Sequence, residues 1–126
     1  MKHGAAAPRF LDLLHIHLPV TAVLSIGHRI AGVLLTMAIP GMVYLLGLSL
    51  SGPDGFASAA GVFHGEAVRV ACAFAIWAFA HHAFAGVRFL LLDLRVGIDR
   101  PAARASAWAV NLGGVAMLFL ALITLT

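Results

Sequence analysis

The stretch from His81 to Asp93, HHAFAGVRFLLLD, sets two imidazoles, a glycine and an arginine at the end of a long apolar run. Ionisable groups at membrane depth are costly unless paired or liganded, so they mark candidate functional positions. An imidazole held there can serve as an axial ligand of haem iron. On a helix, Ala78, His82, Ala85, Gly86 and Phe89 share a face. Small residues flank His82, so a flat macrocycle can approach the backbone beside it. His81 is rotated by about 100° and points elsewhere. His82 is therefore the better ligand of the two. Neighbours on one helix cannot hold a single metal from one side, which excludes a zinc site. The plainer alternative is a small-residue packing face from Ala78 to Gly86, with a histidine hydrogen-bonded across helices.

A second constellation is SIGHRIAG, residues 25–32. Ser25, Arg29, Gly32 and Thr36 follow helical spacing and fall on one face, with His28 beside it. A hydroxyl, a guanidinium and an imidazole over a glycine gap can donate hydrogen bonds to a quinone carbonyl. They can equally pair with an anionic propionate. The alternative is that Arg29 and His28 anchor the helix at the headgroups, with Ser25 as its N-cap.

The elements that must position these groups are membrane spans. The chain has 126 residues, is 62% hydrophobic and only 10% charged. A soluble domain carries about a quarter charged residues. The sequence therefore predicts an all-α membrane protein of one domain. An N-terminal arm over about 1–23 precedes three transmembrane helices at about 24–50, 67–94 and 106–126. In the arm, Asp12 and Pro19 argue against a span, and Leu11, Leu14, Ile16 and Leu18 suit the headgroup boundary. No secretory signal pattern opens the chain. Pro40-Gly41 inside the first span is tolerable in a membrane helix. SLSGPDGFASAAG reads as a loop, with helix resuming near Phe63 to Ala67. Glu66 and Arg69 stand three apart and can pair. Arg88 and Asp93 read as caps of the second span or as partners of another chain.

Lys2, Arg9, Arg88, Arg95, Arg100 and Arg104 gather at the N-terminal arm and the second loop, so these face the cytoplasm by the positive-inside rule. The formal charge of +3 forms no patch suited to nucleic acid. The single cysteine, Cys72, excludes an internal disulfide and c-type haem attachment. It reads as a packed apolar residue. His3, His15, His17 and His64 lack partners at metal-ligand spacing. No nucleophile–base pair, phosphate loop or paired-carboxylate site is visible, so no catalysis is expected from this chain alone.

Together the two motifs, S-x-x-H-R-x-A-G over 25–32 and H-x-x-x-G-x-R-x-x-x-x-D over 82–93, resemble the family of cytochrome b556 subunits of succinate dehydrogenase, the larger of that complex's two membrane anchors. The resemblance covers nearly the whole chain. It implies that His82 is the axial haem b ligand, that His28 and Arg29 contact haem propionates, and that Ser25, Ile26 and Arg29 line a quinone site. The family often has histidine directly after the motif arginine; here that residue is Phe89, so its contact to haem is not carried over. The resemblance also implies a flavoprotein, an iron–sulfur protein and a smaller anchor as partners. That smaller anchor would share the haem and supply its second axial ligand. Ubiquinone is the expected substrate and a bacterial inner (plasma) membrane the expected location. The rivals are a fumarate reductase-type anchor using menaquinone, and a small non-redox membrane protein whose histidines only pack helices.

Overall fold

The computed structural model describes residues 17–125. Within them the chain forms four helices and no strand: α1 (Val20–Ser49), α2 (Pro53–Val62), α3 (Glu66–Asp93) and α4 (Arg100–Leu125). Three of these, α1, α3 and α4, are long and apolar enough to cross a membrane. At about 1.5 Å per residue, each exceeds the ~30 Å of a hydrocarbon core. Of the expected headgroup residues, Leu11, Leu14 and Ile16 lie outside the described residues, as do His3 and His15. Leu18 and His17 are exposed ahead of α1.

Local chemistry explains where each helix starts and stops. Pro19, with φ −65° and ψ 152°, leads into α1. Its carbonyl accepts from the Ala22 and Val23 amides. Ser25 thus lies inside the helix and is not its cap, contrary to expectation. The helix runs through Pro40 without interruption and closes as Ser49 and Ser51 donate to the carbonyls of Leu46 and Leu48.

The stretch expected to be a loop contains α2. Gly52 takes a φ of 121°, closed to most side chains, and Pro53 then opens the new helix at its first turn. Arg69 does not turn to Glu66. Its guanidinium reaches back to the carbonyls of Phe63 (3.4 Å) and His64 (3.3 Å), where the chain passes from α2 to α3.

The α3–α4 turn is a Schellman closure. The Val96 amide donates to Leu91 O and the Arg95 amide to Leu92 O, both at 2.9 Å. Arg95 occupies the left-handed position usually given to glycine, with φ 61°. Asp99 then caps α4 by accepting from the Ala102 amide at 3.3 Å.

Helix α3 is the middle element, packed along both α1 and α4. Gly32 faces His82 and His28 faces Gly86, so α1 and α3 run antiparallel. The core is made of small residues: Ala31, Ala73, Ala78, Ala85, Ala107 and Ala121 are buried, and among the described residues Leu24 is the one large side chain fully enclosed. Ala85 meets Leu24 of α1 and Ala107 of α4 in a single cluster. Large apolar groups point outward, including Met37, Met42 and Val43 of α1. Membrane helices associate through small residues that let backbones approach closely, and this bundle is built that way.

Candidate functional site

Consecutive histidines of α3 separate, as a 100° rotation requires. His82 is part-buried and lines an open groove of about 760 Å³ along α1. Arg29, Gly32, Val33, Thr36 and Met42 form much of its wall. His81 turns the other way and is 4% exposed among the helices.

The His82 ring is held on two sides. Its Nδ1 lies 3.2 Å from the carbonyl oxygen of His28. The His28 ring stacks on it, with centroids 4.1 Å apart and planes 14° from parallel. A carbonyl only accepts, so Nδ1 carries the proton and donates. This leaves Nε2 as a free lone pair. Metal-ligating histidines commonly donate their other ring N–H to such a carbonyl, which fixes tautomer and orientation.

The His82 ring lies close against the backbone of α1 at Gly32. A Cβ at Gly32 would stand 3.1 Å from His82 Cε1. Ala78 and Ala85, expected to open the approach, are instead buried. The packing-face alternative therefore accounts for those two alanines, while His82 itself faces the groove.

Phe89 takes part in this array. Its ring meets His28 edge-on at 5.2 Å and lies against the Leu24, Ala85 and Ala107 cluster. This chain thus has an aromatic wall that holds His28 against His82. The groove has a basic rim at Arg29 and no acidic side chain in its lining. Thr36 spends its hydroxyl proton on the Gly32 carbonyl at 2.9 Å.

Of the residues singled out in the sequence, His28, Arg29 and His82 come together. Ser25 and Ile26 lie one turn earlier on α1 and outside the groove lining, Ser25 part-buried and Ile26 43% exposed. Arg88 does not cap its helix end; its partners lie on α4. It is 6% exposed, and its Nε and Nη2 donate to Ser106 Oγ (3.0 Å) and Ala103 O (2.9 Å) of α4. Sequence reasoning missed this tie, and it missed the destination of His81. The nearest signals were Gly113-Gly114 and Ser106, on a helix with little other polarity.

Among the described residues, no three His, Cys, Asp or Glu side chains converge on one point. A metal bound at His82 must therefore bring most of its own coordination, as a metallated macrocycle does. A lone ring nitrogen beside an open groove with a basic rim makes a donor set suited to a macrocycle carrying carboxylates.

Comparison with known proteins identifies the family. Residues 5–124 match the family described as the succinate dehydrogenase/fumarate reductase transmembrane subunit. A succinate dehydrogenase cytochrome b556 subunit from Coxiella burnetii is 36% identical over 108 residues, covering 85% of this chain and 86% of that one. Its counterpart from Paracoccus denitrificans is 31% identical over 106 residues, covering 84% and 82%. The match spans all three long helices and both motifs, and the chain belongs to the succinate dehydrogenase/fumarate reductase transmembrane subunit family.

Proposed function

We propose that this chain is the haem- and quinone-binding anchor of a succinate:quinone oxidoreductase. The observation that carries the reading is the His82 ring, fixed by the His28 carbonyl with Nε2 free beside an open groove. His82 would hold haem b through Nε2, and Gly32 lets the His82 ring lie close against α1 at the edge of the groove. His28 and Arg29 take the propionates, as charge-assisted donors do. Haem b supplies a one-electron redox centre when bound.

Ser25, Ile26 and Arg29 form this chain's part of the quinone site, at the same end of α1. Ser25 and Arg29 donate to a quinone carbonyl oxygen, whose negative charge grows on reduction; fixed donors in a water-poor site stabilise that charge. Ile26, exposed on the helix surface, packs on the quinone ring. Electrons reach the site from succinate through a flavoprotein and an iron–sulfur subunit. The groove is open on one side, which fits a smaller anchor that closes it and provides the second axial ligand.

The distribution of Arg and Lys supports an N-terminus on the cytoplasmic side, and the organisms of the two relatives favour a bacterial plasma membrane. Both relatives are named for succinate dehydrogenase, which favours succinate oxidation with quinone reduction over the fumarate-reducing direction that the family also includes.

The test is a dithionite-reduced minus oxidised absorbance spectrum of the purified complex, wild type beside His82→Ala. A b-type band present in the first and lost in the second is the expected result. A wild-type complex without the band removes the cytochrome from the reading, and a variant that keeps the wild-type band removes His82.

A further inference from the structure

His81 is buried, its ring nitrogens make no hydrogen bond of ordinary geometry although the Leu24 backbone approaches them, and nothing in the haem and quinone assignment uses it. Burying an imidazole so poorly partnered is unfavourable, and simple space-filling would be better served by an apolar side chain. The surroundings explain the choice. A Cβ at Gly27 of α1 would stand 2.8 Å from His81 Nε2, and a Cβ at Gly114 of α4 would stand 2.8 Å from His81 Nδ1. Both distances are shorter than real Cβ contacts allow. The ring thus spans two bare helix backbones, one at each nitrogen. Trp77, one turn earlier on α3, stacks on it with centroids 5.6 Å apart and planes 26° from parallel. At either nitrogen the clearance is less than a methyl group needs.

We propose that His81 is a positioning residue, a flat wedge between Gly27 and Gly114 that sets the rotation of α3 and so delivers His82 to the groove. The coupling is direct, because the two contacts are adjacent on both helices. His81 meets Gly27, and the next residue on α3, His82, bonds the carbonyl of the next residue on α1, His28. A rotation of α3 that relieved the first contact would break the second. This inference rests on the haem reading for its consequence, but the wedge itself is independent of it.

The experiment is a double-mutant cycle on the whole purified complex. Gly27→Ala, Gly114→Ala and His81→Ala are made singly, and each glycine variant is then combined with His81→Ala. Two readouts are taken: the low-temperature reduced α-band, with its rate of haem loss in detergent, and the thermal dissociation of the subunits. Each glycine variant is expected to speed haem loss by about tenfold where His81 is present and far less in the His81→Ala background, since residues in contact couple by amounts of this order. His81→Ala alone is expected to shift the α-band while the subunits still assemble.

Equal glycine effects in both backgrounds would overturn the wedge, and an unshifted band in His81→Ala would overturn its positioning role. If Gly114→Ala fails to assemble, recovery on adding His81→Ala supports the wedge. Failure of both double variants counts against it. If the wild-type complex has no b-type band, the haem reading fails by itself; coupling in thermal dissociation then upholds the wedge and additivity removes it.

Discussion

At the scale of single residues, the site depends on what α1 leaves out. Gly32 faces His82 at a distance that barely admits a methyl group. Gly32→Leu is expected to reduce haem content several-fold in the purified complex, read from the pyridine haemochrome spectrum. Gly41→Ala on the same helix meets nothing within 4 Å and is expected to leave it unchanged. Arg29→Leu and Ser25→Ala are expected to depress quinone reduction while sparing succinate oxidation by an artificial dye. Equal loss of both activities would make these residues structural. Much of this was legible from types and spacing: the rotation between neighbours separates His82 from His81, and the Ser25 to Thr36 stripe is visible as helical spacing. The destination of His81 was not, because its slot is made of glycines on two other helices. Glycines carry no chemical signal until a fold sets something against them.

At the scale of elements, helix termini and one cross-tie decide the arrangement. Arg95 holds a left-handed conformation that costs a non-glycine residue about 1–2 kcal/mol. Arg95→Gly is therefore expected to raise the thermal stability of the complex slightly, checked by its subunit dissociation temperature. The Arg88 tie makes a sharper contrast. Ser106→Val leaves a buried guanidinium short of an acceptor and is expected to cost about 1.5–3 kcal/mol. Arg88→Met removes the charge together with its need for partners and is expected to cost less. Thermal dissociation of the two variants side by side tests that order. The three long helices were legible because unbroken apolar runs of that length have few other folds in a cell. The helix α2 was not, because Gly, Pro, Ser and Asp crowd its opening and read as a turn. Pro53 at the first helical position, followed by Asp54, was the start signal that the loop reading absorbed.

At the scale of the whole molecule, this bundle is inverted relative to a soluble one, with alanines and glycines inside and Met, Phe, Leu and Ile outside. Its groove is closed by nothing within the described chain. Expressed without the other subunits, the chain is expected to accumulate poorly and to show little b-type absorbance, measured by immunoblot and difference spectrum of the membranes. The tie between Arg88 and α4 also bears on how the protein is made. Until α4 emerges from the ribosome, that guanidinium has no acceptors from Ser106 or Ala103, and a charge without partners resists entry into lipid, by less at this cytoplasmic end of α3 than the about 2.5–3.5 kcal/mol it costs at mid-helix. Insertion of α3 should then wait for its successor. A chain stopped before Arg100 would let a fraction of α3 pass fully across, glycosylating a tag placed after it, and the full-length chain would not.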